Sequence, residues 1–301
     1  MKAGPGTDYA SLYRARVFQS SEELEEALKR PDLGIGSPPP KAASAGRMNA
    51  RGISVFYGAI DRRTALAEVR HPVGSDVITA QFEIILPLFL LDIEALKSVH
   101  VLGSYFDPSY AASLEKEEFL GSLSNRMTMP VVPDDEPFEY LPTQAIADFL
   151  ASRTKPCLDG IIYPSVQGKK GLRNVVLFQK ASLIQEMDFP KGTKITVQME
   201  TTTDDGFEID YCVWEETPKE NEKKTANVTG GEDLRLTPLV RPKEAGREPT
   251  LRIIPESLEV HHITGVTFAM DDYPVRRHRS EECNLKFVRH ARSRRRRSTN
   301  L

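Results

Sequence analysis

One tryptophan and three cysteines in 301 residues leave little room for a disulfide-stapled or metal-clustered protein. Cys157, Cys212 and Cys283 are scattered, odd in number and not in metal-ligand spacing, so a reducing, cytoplasmic setting is expected. Long apolar runs are also missing. The longest, Ile84 to Leu91, is interrupted by Pro87 and stops at Asp92, far short of the roughly 20 residues a membrane helix needs. The first residues, Met1 to Gly6, run into polar sequence without the apolar stretch of a signal peptide. No Gly-x-Gly-x-x-Gly opens a helix after a strand, which argues against hydride transfer in a Rossmann fold. Adjacent pairs such as Asp134-Asp135 and His261-His262 would point to opposite faces of a strand, so no metal site is expected.

What is present is an ordinary globular composition with 40% hydrophobic and 28% charged residues. The formal net charge of −3 hides an asymmetry: residues 276–301 carry ten basic and two acidic side chains, the preceding 275 carry 30 and 41. The body would repel nucleic acid, so any such binding rests on the tail and its Arg294 to Arg297 run. The bland reading of that tail, a solvated and flexible terminus, is the stronger one.

Ser20 caps a helix through Lys29, with Leu24, Ala27 and Leu28 on one face. Ile53 to Ala59 reads as a strand, and Asp61 caps a short helix through Val69. Asp76 to Asp92 is β-prone, with Pro87 implying a bulge or edge. Helices are predicted over Pro108 to Leu123 and Thr143 to Arg153, the latter with Ile146, Phe149 and Leu150 on one stripe. Strands follow at 160–163 and 174–178, joined by a loop from Pro164 to Gly171. From about residue 191 the chain turns β-rich, with strands near 194–199, 207–214, 251–254 and 258–268 around a solvated loop at 217–233. The expected division is residues 1–190 as one domain, 191–275 as a β-rich extension packed on it, and 276–301 as the basic tail.

Four features carry chemistry. These are Tyr13-Arg14-Ala15-Arg16 on a strand, the run Gly46 to Gly52, Glu68 on an otherwise apolar helix, and Pro164-Ser165 with Asn174. Taken singly, each has a dull explanation: a solvated Arg, a packing Tyr, turn chemistry for Ser. Glu68 is the hardest to dismiss, because a carboxylate among Ala, Leu and Val needs a partner or a purpose.

Together, Gly46-Arg47-Met48-Asn49, Val55-Phe56-Tyr57, Ala65-Leu66-Ala67-Glu68-Val69, Tyr140-Leu141-Pro142-Thr143, Gly160-Ile161-Ile162-Tyr163-Pro164-Ser165 and Asn174 to Phe178 resemble the RES-domain family over roughly residues 10 to 185. The resemblance implies an α+β, ADP-ribosyltransferase-like fold: a split, mixed and mostly antiparallel sheet holding a cleft, with flanking helices. It implies an enzyme that cleaves NAD+ at the nicotinamide–ribose bond, as glycohydrolase or phosphorylase, usually as the toxin of a bacterial toxin–antitoxin pair. NAD+ is then substrate, and no cofactor is called for. Arg14 and Arg47 would grip the pyrophosphate, and Tyr57 would stack on or hydrogen-bond the nicotinamide ribose. Glu68 would stabilise the oxocarbenium charge, Ser165 would orient the nicotinamide or its ribose, and Asn174 would help to bind NAD+; Glu68, Arg47 and Tyr57 form the expected catalytic set. The implied partner is an antitoxin with helix-turn-helix DNA binding, and oligomeric state is left open. Transfer of ADP-ribose to a macromolecule and a nucleic-acid module built on the tail are the alternatives.

Overall fold

A computed structural model describes residues 1–104, 106–165, 171–203, 206–218, 247–267 and 270–277. Contacts divide the chain into Met1–Val266 and Thr267–Leu301. In the second unit, residues 270–277 form no helix or strand, and Tyr273 and Val275 are exposed. Most of the basic tail, from residue 278, lies outside the described residues, as do residues 166–170 of the loop from Pro164 to Gly171 and residues 219–233 of the solvated loop.

The first unit is an α+β fold around a curled, mixed sheet. Its strands are β1 (Lys2–Ala3), β2 (Ser11–Phe18), β3 (Phe56–Ala59), β4 (Asp76–Ile84), β5 (Leu88–Asp92), β6 (Gly160–Pro164), β7 (Arg173–Leu177) and β10 (Leu251–His262). They lie in the order β1-β5-β6-β7-β3-β2-β4-β10. β5 and β6 run parallel, and the other neighbouring strands pair antiparallel. β8 (Lys194–Thr203) and β9 (Gly206–Glu216) form a separate hairpin.

Period-2 alternation builds two cores from the same strands. Ile162, Val175 and Leu177 join Phe56, Phe82 and Leu12 on one face. Ile161 and Val176 turn to the other, with Val55, Ile93 and Phe178. The first face is covered by α1 (Ser21–Lys29), whose Leu24, Ala27 and Leu28 are buried as their spacing predicts and whose N-cap Ser20 accepts from the Glu23 amide; a single turn, α2 (Pro31–Gly34), follows it. Val197, Met199 and Tyr211 of the hairpin pack against the same cluster. The second face is covered by α4 (Pro108–Thr128) and α5 (Glu136–Arg153) through Met127, Ala147 and Leu150.

Four local expectations change. The Asp76 to Asp92 run is two strands, β4 and β5, that diverge at Pro87 to distant places in the sheet. β3 begins at Phe56 rather than Ile53, because side chains occupy the preceding backbone: Asn49 Nδ2 donates to the Ile53 carbonyl, and Ser182 Oγ to the Ser54 carbonyl. α5 starts at Glu136 and continues through Pro142, whose missing N–H falls on an exposed residue where water can satisfy the freed carbonyl. Its buried stripe is Thr143, Ala147 and Leu150, which leaves Phe149, about 100° away from Leu150, exposed. The two strands predicted after 250 are a single bulged β10, hydrogen-bonded to β4.

Candidate active site

β2 and β3 meet at one residue pair, Tyr13 with Ala59 at the end of β3, and the sheet is split along the rest of β3. In that opening lies a cavity of about 400 Å³. β2 contributes Tyr13, Arg14 and Ala15 to its wall, and β3 contributes Tyr57, Gly58 and Ala59. Arg14 reaches across the split, donating from Nη1 to the Tyr57 carbonyl at 2.9 Å, with its guanidinium 5.2 Å from the Phe56 ring centre.

The loop before β3 is built around Tyr57 and Asn49. The Tyr57 hydroxyl donates to Asn49 Oδ1 at 2.8 Å and accepts from the Met48 amide at 3.0 Å. Asn49 Nδ2 in turn holds the carbonyls of Ser44, Ala50 and Ile53. Gly46 is required here, since a Cβ would come within 2.8 Å of the Tyr57 hydroxyl oxygen. Burial raises the Tyr57 pKa well above the ordinary phenol range, so the hydroxyl stays protonated and its role in the loop is constant.

Arg47 leaves this loop toward the helices. Its Nη1 donates to the Met129 carbonyl at 2.6 Å and the Met127 carbonyl at 3.3 Å, at the C-terminal end of α4. That is where a helix dipole favours a cation. Its guanidinium also lies 5.4 Å from the Tyr140 ring centre. α5 fastens the loop in return: Thr143 Oγ1 donates to the Arg47 carbonyl at 2.7 Å, and Gln144 Nε2 to the Gly46 carbonyl at 2.8 Å.

Glu68 ends α3 (Arg62–Glu68), a short helix capped by Asp61. Its Oε1 accepts from Ser165 Oγ at 2.6 Å, so the two meet although 97 residues separate them. Arg14, Arg47, Tyr57, Glu68 and Asn174 all line the one cavity, and Ser165 joins it through Glu68. Asn174 is buried on β7, and its Oδ1 has no hydrogen-bond partner among the described residues. Arg173 beside it is paired with Asp92 and Glu94.

A family model described as RES domain matches residues 11–194. The chain belongs to the RES-domain family. No curated protein matches it. Membership is consistent with an NAD+-related toxin family, one associated with enzymes acting on NAD+.

The RES cavity also contains residues that sequence reasoning did not single out for the site. Glu136 and Tyr140 enter it because α5 begins before Pro142, which reads in sequence as a boundary. Tyr163, one residue before the Pro164-Ser165 pair, has its pKa pushed far up by burial. Arg70 sits in the left-handed region at φ 43° and turns the chain out of α3 at the cavity edge. Among the described residues no helix is long and apolar enough to cross a membrane.

Proposed function

We propose that this RES-domain protein cleaves NAD+ at the nicotinamide–ribose bond, with Glu68 as the group that makes the bond break. The supporting observation is the Glu68–Ser165 hydrogen bond at the edge of a cavity that Arg14, Arg47 and Arg70 also line. Nicotinamide leaves with the bonding electron pair as a neutral base, and positive charge appears on the ribose. A carboxylate already oriented by Ser165 opposes that charge without having to reorganise. Ser165 thus acts on the reaction by holding Glu68.

The arginines serve binding. Nη1 of Arg47 is committed to α4, so its Nε and Nη2 edge is the one offered to the pyrophosphate, in the forked geometry phosphate oxygens accept. Arg14 brings a second permanent charge from the opposite strand. The Tyr57 hydroxyl is fully occupied by the loop, so only its ring is left to meet the nicotinamide ribose. The Asn174 amide meets the ribose hydroxyls or the carboxamide.

The oxocarbenium is then captured by water, which loses a proton, or by inorganic phosphate. Loss of NAD+ would arrest growth, which fits a toxin held in check by an antitoxin protein. The test is incubation of the purified protein with NAD+ carrying label in the adenosine half, with and without phosphate. ADP-ribose or its 1-phosphate, together with free nicotinamide, is the expected product set. Intact NAD+ overturns the proposal, and label retained on protein or nucleic acid makes a macromolecule the acceptor in place of water or phosphate.

A further inference from the structure

The family match ends at residue 194, yet β10 lies beyond it and backs the helix that carries Glu68. α3 has seven residues, too few to be stable without tertiary support. Its first residue, Arg62, turns away from the cavity toward β10. Nη2 donates to the Ser257 carbonyl at 2.9 Å, and Nη1 donates to Thr79 Oγ1 at 3.1 Å and pairs with Glu259 Oε2 at 2.6 Å. Thr79 is fully buried on β4, and its Oγ1 also meets His261 Nε2 at 2.9 Å.

The bulge in β10 makes this contact. Between the pairs Ile254–Gln81 and Glu259–Thr79, β10 has three more residues than β4, and the excess lifts Ser257 out of the ladder. Ser257 is fixed there by its own hydroxyl, which donates to the Ile254 carbonyl and accepts from the Gln81 amide. Just past β10, Ile263 packs against the same buried cluster, which includes Ala65 of α3, as do Leu66 and Val69. The Arg62 guanidinium also lies 5.4 Å from the ring centre of Tyr13, a wall residue of the cavity.

We infer that Arg62 is a positioning residue, through which β10, outside the RES match, holds α3 and therefore Glu68 in register with the cavity. The inference rests on the proposed role of Glu68. The Glu259 pair is exposed on one side and contributes little by itself. The buried Thr79 hydroxyl and the Ser257 carbonyl provide the geometric constraint, because Arg can satisfy several acceptors from one plane.

Three full-length variants test it: Arg62→Met, Arg62→Lys, and as a control Arg252→Met, which removes a different β10–β4 ion pair, that with Glu83. Arg62→Met is expected to lower kcat for NAD+ loss by about 10- to 100-fold, since a small misplacement of a reacting group costs that much. KM should stay within about twofold, because binding falls to Arg14 and Arg47. Arg62→Lys should rescue part of kcat, and it carries the test alone if Arg62→Met does not fold. Arg252→Met should match wild type. Amide exchange across residues 61–69 should accelerate in Arg62→Met and not in Arg252→Met, a readout that needs no activity. A wild-type kcat in Arg62→Met, or equal effects in the two Met variants, overturns the inference. Unchanged exchange with an active wild type removes the tie and leaves the site reading intact. Faster exchange in a protein that never consumes NAD+ keeps the tie and removes the site reading instead.

Discussion

The two walls of the cavity are built by different means. The sheet wall presents Arg14, Tyr57, Tyr163 and Asn174 on strands whose neighbouring side chains, Phe56, Ile161, Val175 and Val176, are wholly buried. The helical wall presents Met127, Thr128, Glu136 and Tyr140 from α4 and α5. Those helices leave Phe119, Phe138, Leu141 and Phe149 between 58% and 75% exposed. They bury narrow stripes and are bound to the site by a few named hydrogen bonds, from Arg47, Thr143 and Gln144. Most of the binding groups sit on the sheet, while Glu68 comes from the separate short helix α3. The helical wall supplies shape, and Arg47 ties the loop before β3 to it by donating to the Met127 and Met129 carbonyls.

That contrast is open to measurement, beginning with its largest consequence. Phe56 lies beneath Arg14 and packs edge-on against Phe82 at 5.0 Å. Phe56→Ala should cost about 3–5 kcal/mol in denaturant unfolding, as large core truncations do. A loss below about 1 kcal/mol would show that the sheet wall is no firmer than the helical one.

Glu68→Gln keeps the hydrogen bond to Ser165 while removing the charge. Steady-state kinetics should show kcat falling on the order of 10²–10³ with KM little changed, the loss typical of one preorganised electrostatic group. A raised KM with normal kcat would reassign Glu68 to holding the ribose. Arg47→Met should act the other way, raising KM by about 10- to 100-fold through loss of a charge-assisted contact worth about 1.5–3 kcal/mol. It should also loosen the α4 end of the helical wall, seen as faster amide exchange near Met127.

Tyr57→Phe leaves Asn49 Oδ1 and the Met48 amide without their partner, and should destabilise by about 1–3 kcal/mol. The pH dependence has a definite sign. Burial raises the native pKa above its value of 10.0 in a free phenol, so above about pH 10 the unfolded chain releases the proton first. Wild-type stability should therefore fall there, and its lead over Tyr57→Phe, intact up to about pH 10, should narrow progressively as the pH rises further. An unchanged lead would mean the hydroxyl is not shielded. The smallest effect belongs to the helical wall: Phe149→Ser should shift stability by less than about 0.5 kcal/mol, while a loss comparable to that of Phe56→Ala would erase the contrast.

Much of this was legible in one dimension. The cap at Ser20, the buried face of α1 and the strand through Ile161 and Ile162 follow from local chemistry and spacing, which tertiary contacts reinforce. The motifs from Gly46 to Phe178 carried the resemblance to the RES family, and the α+β fold which that resemblance implies is the one observed. Spacing could not say that Asp76 to Asp92 splits to distant places in the sheet, because Pro87 ends a strand without choosing its next neighbour. Nor could it say that α5 runs through Pro142, or that Phe149 faces solvent, since both depend on which stripe meets the sheet. The meeting of Ser165 with Glu68, of Tyr57 with Asn49, and of Arg62 with a strand some 195 residues away belongs to tertiary structure alone. A sequence specifies which groups need partners; hydrogen bonds and ion pairs act over a few ångströms, and only the closed chain decides which partners come within that distance.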